Sequence, residues 1–133
     1  MKEITLNTTY TQEIVVEERM IAANVGSGIV NVYATPMMIA CMENTAVKCL
    51  EPFMEEGETS VGVMINSTHD AATPVGMKVR VSATVTAVDR KKISFEIIAE
   101  YEKDIIGKAS HDRFVVLKEK FEQKAKQKLD EQL

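Results

Sequence analysis

Residues 35–50 read TPMMIACMENTAVKCL, and their pattern is the strongest indication of the fold. Thr35 is a good residue to cap a helix, and Pro36 suits the first helical position because its missing N–H costs nothing there. The residues that follow are apolar on nearly every face, with a single polar stripe. The pattern predicts a long helix that is buried instead of lying on a surface, and that ends at Glu51-Pro52.

Four strand patterns follow this helix. Apolar residues alternate with polar ones over residues 59–69, 79–87, 93–101 and 105–117, and turn sequences such as EEGE and DRKK separate the runs. Short turns join strands that are antiparallel neighbours. We therefore predict hairpins between successive strands, including one that places His69 just before its turn.

A further strand is indicated before the helix, within residues 4–16, and a charged amphipathic helix or tail covers residues 118–133. One hydrophobic helix followed by a run of strands suggests a sheet that curves around the helix. The predicted fold class is α+β, with an antiparallel five-stranded sheet wrapped around a long central helix. A length of 133 residues fits one domain, residues 1–133.

Composition limits the classes of function. The chain has a formal net charge of −4, a sequence pI of about 5.3 and no tryptophan. An acidic protein with few aromatic residues is a poor candidate for binding nucleic acid through phosphates or stacked bases. No segment approaches the roughly 20 apolar residues of a membrane-spanning helix. We expect neither a nucleic-acid nor a membrane partner.

The two cysteines, Cys41 and Cys49, both lie within the predicted helix. Eight residues at 1.5 Å each separate them by about 12 Å along its axis, whereas a disulfide needs Cα atoms within about 7 Å. They are interpreted as reduced core residues that form no metal-ligand pattern. The first residues, MKEITLNTTY, lack the apolar run of a signal peptide. These observations favour a cytoplasmic protein without a metal.

Glu43 is the most conspicuous residue of the helix. Its neighbours three and four positions away are Ile39, Ala40, Ala46 and Val47, so an apolar face surrounds it. Burial there would remove water from the carboxylate and favour its neutral form. The alternative is that the helix turns Glu43 to the rim, since charged residues are rarely buried without a partner.

Two other charged or titratable residues share faces with apolar ones. His69 ends a predicted inward strand face, where a histidine is more often a core residue than a catalyst. Arg113 shares a face with Val115 and Leu117, so it should point towards the core side. A cation there could hold a polar acyl group or pair with Glu43. The alternative is a surface arginine that buries only its aliphatic stem.

The start of the helix adds the remaining parts of acyl-transfer chemistry. A helix N-terminus offers free N–H groups and a positive dipole end, which suit a carbonyl oxygen that becomes negative during attack. Pro36 has no N–H, so Met37 and Met38 would provide the donors and contact the substrate. Capping alone would explain Thr35. Together, however, a hydroxyl, a carboxylate and an imidazole are the groups that acyl transfer needs.

The sequence resembles a known family over most of its length. Residues 33–85 resemble the fluoroacetyl-CoA thioesterase group of the hot-dog fold superfamily, and the similarity continues through GKASHDR, residues 107–113, and EKF, residues 119–121. The most specific elements are a threonine followed by a glutamate eight residues later, and the segment THDAATPVG at residues 68–76.

The resemblance implies a function and a set of site residues. The catalytic threonine, glutamate and histidine of the family fall on Thr35, Glu43 and His69, a pocket glycine on Gly62 and a pocket arginine on Arg113. It implies a hot-dog fold, hydrolysis of a small acyl-CoA thioester with coenzyme A as part of the substrate and no other cofactor, and a homodimer with interfacial active sites. The catalytic threonine and glutamate lie about 12 Å apart along one helix axis. Either the threonine of one chain acts with the glutamate of another, or the glutamate acts indirectly through a further group.

The sequence also departs from the family at one place. The fluoroacetyl-specific enzyme has aromatic residues just before the threonine that close a hydrophobic lid, and Gly26 and Ile29 stand at those positions here. The difference argues against fluoroacetyl as the acyl group and leaves the hydrolytic residues unchanged. Two other functions stay open: a hot-dog dehydratase or hydratase acting on an acyl thioester, and a non-catalytic module that binds CoA or an acyl ligand.

Overall fold

The computed structural model describes residues 1–102 and 104–132. One antiparallel sheet has the strand order β1-β3-β4-β5-β2. Its strands are β1 (Thr9–Val15), β2 (Glu58–Ser67), β3 (Lys78–Asp89), β4 (Lys92–Tyr101) and β5 (Asp104–Leu117). The helices are α1 (Ala22–Val25), α2 (Thr35–Leu50) and α3 (Lys118–Glu131), with 3-10 turns at Glu18–Met20 and Glu51–Phe53. The predicted α+β class is confirmed.

Helix α2 packs one face against the sheet. Its buried side chains recur three and four residues apart, which places them on one side of the helix: Met38, Met42, Thr45, Ala46, Cys49 and Leu50. Nothing in residues 1–102 and 104–132 covers the opposite side fully. Ala40 is exposed there, and Ile39 and Val47 are only partly buried. The prediction of a helix buried on nearly every side is therefore wrong for a single chain.

The inner face of the sheet follows the predicted alternation as far as Val85 in β3 and Ala99 in β4. The side chains buried against α2 are Val79, Val81, Ala83 and Val85 in β3, and Ile93, Phe95, Ile97 and Ala99 in β4. The register between β3 and β4 shifts after Val85, and Ala87, which the alternation places inside, is exposed. Polar residues occupy the outer face, where Arg80 donates to Glu100 across the two strands. Burial of these apolar side chains is the main force that holds the sheet to the helix.

The connection between β2 and β3 differs from the prediction. The two strands are not a hairpin, because β2 pairs with β5 at one edge of the sheet while β3 lies between β1 and β4. Residues 68–77 carry the chain across from that edge to β3. His69 therefore lies in a crossing segment and not at the end of a strand.

Strand β2 also changes face part of the way along. Its register with β5 shifts between Gly62 and Met64, as in a β-bulge. Val63, which the alternation places inside, is 57 % exposed, whereas Ser60 is buried. The prediction of one continuous inward face from residue 59 to 69 is wrong because the bulge interrupts it.

The last helix, α3, has no buried residue. The hairpin turn expected at EKD includes Lys103, and the expected C-terminal segment includes Leu133; both residues lie outside the described part of the chain. Within that part, no helix combines the length and the apolar run that crossing a bilayer requires.

Candidate active site

Thr35 is the first residue of α2, and its side chain contacts a histidine instead of capping the helix. Ala34 occupies the cap position, without any side-chain hydrogen bond to the helix, so the prediction that Thr35 caps the helix is wrong. Its Oγ1 instead lies 2.7 Å from Nδ1 of His69. This is the arrangement in which an imidazole activates a hydroxyl nucleophile.

His69 is partly buried in the segment that follows β2. Its Nε2 is enclosed, and no described group bonds to it. The ring of Tyr33 meets the imidazole edge-on, with 6.4 Å between the ring centroids. Burial lowers the pKa of His69, and the negative charge of Asp70 opposes part of that effect. The imidazole is therefore mainly neutral at pH 7, the state in which it accepts a proton.

A cavity of about 310 Å³ lies beside this pair. Thr35 and His69 form part of its wall, and the loop between α1 and α2 contributes Ser27, Gly28 and Val30. The volume is at the small end of the range for ligand pockets, which suits a small ligand group.

Gly107 of β5 allows the segment with His69 to approach the sheet. The N–H of Thr68 donates to the carbonyl of Lys108 at 2.8 Å, which aligns the segment with the strand. A Cβ at residue 107 would lie 2.5 Å from the carbonyl oxygen of Thr68 and 2.9 Å from Cε of Met38. Any side chain at this position would push the histidine segment away from the sheet.

Met37 and Met38 do not offer the free backbone donors that the sequence predicts. Both N–H groups donate to the carbonyl of Ala34, each at 3.0 Å, and the side chain of Met38 is fully buried. The expectation that these N–H groups face a substrate oxygen disagrees with this geometry. Pro36 has no N–H, so Thr35 carries the one first-turn N–H without an acceptor in the described part of the chain.

A second polar group lies further along α2, around Glu43. Its Oε2 is 3.7 Å from Nη1 of Arg113 on β5. The arginine side chain is only 7 % exposed, whereas the glutamate side chain is 41 % exposed. Arg113 therefore points to the core side and is not a surface residue. Glu43 lies at the rim, which is the alternative to burial that the sequence analysis leaves open.

Gly62 keeps space open next to this ion pair. A Cβ at residue 62 would lie 3.1 Å from Oε2 of Glu43, 3.3 Å from Cε1 of His111 and 3.4 Å from Nη1 of Arg113. Each contact is tighter than a normal Cβ contact or at its lower limit. A larger residue would therefore press on the carboxylate and restrict access to it.

His111 is a site residue that the sequence does not identify. It is 1 % exposed, its Nδ1 lies 2.7 Å from the carbonyl oxygen of Met64, and its Nε2 lies 3.2 Å from Nη1 of Arg113. The available signal is its position two residues before Arg113, on the same strand face. That signal is weak because the bulge in β2, which supplies the Met64 carbonyl, cannot be located from the pattern.

The two polar groups do not meet within one chain. Thr35 and His69 touch at the start of α2, whereas Glu43 lies two turns further on, about 12 Å along the axis. No hydrogen bond or ion pair in the described residues joins them. That part of the chain also contains no group of three or more His, Cys, Asp or Glu side chains that could hold a metal ion. Cys41 and Cys49 are both free, as predicted.

Comparisons with known proteins point in one direction. The sequence model of the family described as FlK, fluoroacetyl-CoA-specific thioesterase, matches residues 16–119. A fluoroacetyl-CoA thioesterase of Streptantibioticus cattleyicolor is 40 % identical over 97 residues, which are 73 % of this chain and 70 % of that protein.

Solved structures give the same result for the fold. The structure of the fluoroacetyl-CoA thioesterase FlK superposes with a TM-score of 0.91 at 32 % identity, covering 96 % of this chain and 98 % of that chain. A hot-dog-like protein from Thermanaerovibrio acidaminovorans superposes with a TM-score of 0.84, covering 92 % and 91 % of the two chains. At 20 % identity, this second similarity concerns the fold alone.

Proposed function

The chain belongs to the family of fluoroacetyl-CoA-specific thioesterases, with a hot-dog fold, and we propose that it hydrolyses the thioester of a small acyl-CoA. The observation that carries the proposal is the 2.7 Å contact between Thr35 Oγ1 and His69 Nδ1 beside a small cavity. A hydroxyl paired with a neutral imidazole supports proton transfer during acyl transfer. A module that only binds a ligand has no need of that pair.

In the proposed reaction, water and the acyl-CoA give a carboxylic acid and free coenzyme A. When water or Thr35 attacks, His69 accepts its proton and returns a proton to the sulfur as the thiolate leaves; when the Glu43 carboxylate attacks, it has no proton to give, and His69 accepts a proton from the water that then hydrolyses the acyl-enzyme. The attacking group is water, or Thr35 or Glu43 as a transient nucleophile. Rapid acid quenching separates these routes, since only the last two leave an acyl group on the protein. Coenzyme A enters as part of the substrate, and the reaction needs no other cofactor.

We further propose a homodimer whose sites combine groups of two chains. Strand β2 is a free edge of the sheet, and its Val63 and Met64 are 57 % and 41 % exposed. The neighbouring side of α2 leaves Ile39 and Val47 incompletely covered. A two-fold axis beside β2 would pair the edges and cover these residues. It would also supply the carboxylate that Thr35 lacks in its own chain, from Glu43 of the partner subunit.

The acyl group is proposed to be small and not fluoroacetyl. In the loop between α1 and α2, Ile29 is 93 % exposed. This residue and Gly26 stand at the positions of the lid aromatics of the fluoroacetyl-specific enzyme, so neither lid position provides an aromatic side chain. Tyr33 of the same loop is buried in the cavity wall beside His69 and does not take their place. The cavity of about 310 Å³ beside the loop favours short acyl chains.

A screen of acyl-CoAs tests the proposed function. Purified protein is incubated with short, branched and aromatic acyl-CoAs, and free thiol is measured. We expect the fastest release from short acyl groups such as acetyl or propionyl. Hydration of crotonyl-CoA without thiol release would instead favour the hydratase. Tight CoA binding with neither activity would favour the binding module.

The pH dependence of hydrolysis should report His69. Burial lowers the pKa of His69 below its ordinary value of 6.5, and the neutral ring is the active form. Acidification protonates the ring, so kcat/KM should be level from pH 7 upwards and should fall in acid with a midpoint below pH 6.5. Far-ultraviolet circular dichroism at each pH separates this loss from unfolding. Activity that rises on acidification in folded protein would contradict the role of a neutral base.

We also propose a cytoplasmic location, without nucleic-acid or membrane partners. Two free cysteines, Cys41 and Cys49, and no disulfide in the described part of the chain are consistent with a reducing compartment. The net charge of −4 disfavours nucleic acid as a partner.

A further inference from the structure

We propose that His111 is a positioning residue that holds Arg113 in the orientation in which its guanidinium faces Glu43. The inference rests on the thioesterase function proposed above and assigns a role to a residue outside the Thr35, Glu43 and His69 set.

The two hydrogen bonds of His111 define its protonation state. Nδ1 lies 2.7 Å from the carbonyl oxygen of Met64, which can only accept, so Nδ1 carries the proton. Nε2 lies 3.2 Å from Nη1 of Arg113, which can only donate, so Nε2 presents its lone pair. Only the neutral ring with its proton on Nδ1 makes both bonds.

The contacts of Arg113 show what this orientation achieves. Its Nε donates to Oγ of Ser60 at 2.8 Å, and its Nη2 donates to the carbonyl of Ser60 at 2.9 Å. These bonds fix two of the three guanidinium nitrogens. The third, Nη1, is held by His111 and is also the nitrogen that lies 3.7 Å from Oε2 of Glu43. His111 therefore completes the support of the nitrogen nearest the carboxylate.

The surroundings of His111 keep its ring neutral. The ring is 1 % exposed, packs near Phe95 at a centroid distance of 6.2 Å, and is surrounded by the charges of Arg113, Glu43 and Asp112. Burial lowers the pKa of His111, and the nearby guanidinium lowers it further, whereas the Met64 carbonyl and the two carboxylates oppose them. A protonated ring would lose its acceptor and place a second cation beside the arginine.

Two substitutions separate this role from simple packing. In His111→Asn, the amide nitrogen can replace Nδ1 and keep the bond to Met64, but no acceptor reaches Arg113. In His111→Gln, the amide oxygen can replace Nε2 and keep the bond to Arg113, while the bond to Met64 is lost. Both variants lose the ring, so packing alone predicts similar effects of the two on stability and turnover.

We expect H111N to lower kcat by about tenfold or more, since small misplacements in a site are costly, and H111Q to stay within about threefold of the wild type. KM should change little in either variant. Turnover is measured per folded molecule, with melting temperatures on the same preparations. Equal turnover in the two variants, with a wild type that hydrolyses acyl-CoA, would overturn the inference and leave the proposed function intact.

A spectroscopic measurement tests the geometry without any activity. The chain has two histidines, so ¹⁵N spectra of the ring nitrogens contain two rings, and the spectrum of H69A assigns the signals of His111. We expect a neutral His111 with its proton on Nδ1 at pH 7. A proton on Nε2, or a charged ring, would contradict the proposal. The expected tautomer together with no thiol release from any acyl-CoA would contradict the proposed function alone.

Discussion

Replacement of His69 by alanine is expected to lower kcat by about 10²- to 10⁴-fold, which is the usual cost of losing a general acid or base. The side chain contacts the hydroxyl of Thr35 at 2.7 Å and borders the cavity, so its loss leaves the attacking group without a proton acceptor. KM should change far less than kcat, because the imidazole contributes to the transition state more than to substrate binding.

The control for this substitution lies in the same segment. Val75→Ala shortens an exposed side chain between β2 and β3 without contacting Thr35 or the cavity, and should keep wild-type turnover. Steady-state kinetics on both variants, with melting temperatures, complete the comparison. A loss of less than about threefold in H69A would reduce His69 to a packing residue.

Replacement of Glu43 by glutamine is expected to abolish most of the activity with little change in melting temperature. Glutamine keeps the size of the side chain but can neither accept a proton readily nor act as a nucleophile, so a loss of about 10²-fold or more in kcat is expected. Arg113 retains its bonds to Ser60 and His111, so the buried cation stays satisfied when the carboxylate is neutralised.

A matched change tests whether charge loss alone has an effect. Glu96→Gln removes one carboxylate from the exposed side of β4 and should leave both turnover and melting temperature unchanged. If Glu43 serves only to pair with Arg113, E43Q should melt at a lower temperature because the cation loses its counter-charge. A less stable E43Q with normal turnover per folded molecule would remove Glu43 from the mechanism.

The helix and the strands could be predicted from the sequence because local patterns determine them. The apolar run with Pro36 near its start gives α2, and the alternation in β3 and β4 gives the inner face that the structure shows. These features depend on residues close in sequence. The class of fold follows from them, since a hydrophobic helix and an amphipathic sheet bury each other.

The crossing segment and the bulge could not be predicted from local sequence patterns. The TP-x-G sequence at Thr73–Gly76 indicates a turn, but a turn sequence does not say whether the strands on either side pair. The edge position of β2 depends on its pairing with β5, which lies some 50 residues away in sequence. The bulge beside Gly62 cannot be located from a pattern of period two, because that pattern assumes an uninterrupted strand. The one extra residue of the bulge shifts every later side chain to the other face.

The residues of the candidate site also fall into those that the sequence identifies and those that need the structure. Thr35 and Glu43 stand out on the helix, and the resemblance to the family adds His69, Gly62 and Arg113. The expectation of free N–H groups at Met37 and Met38 disagrees with the structure because the carbonyl of Ala34 accepts from both once Ala34, and not Thr35, caps the helix. His111 needed the structure, since its partner Met64 is on another strand.

Thr35 and His69 of one chain are proposed to act with Glu43 of the partner subunit, and mixing two inactive variants tests this arrangement. H69A and E43Q are unfolded together, refolded, and confirmed as dimers by light scattering. Half of the randomly formed dimers then contain one chain of each kind, and each of these has one site with both lesions and one intact site. We expect the mixture to recover about one quarter of the wild-type turnover. Mixed dimers that stay as inactive as the separate variants would show that Glu43 of the partner subunit does not complete the site of Thr35 and His69.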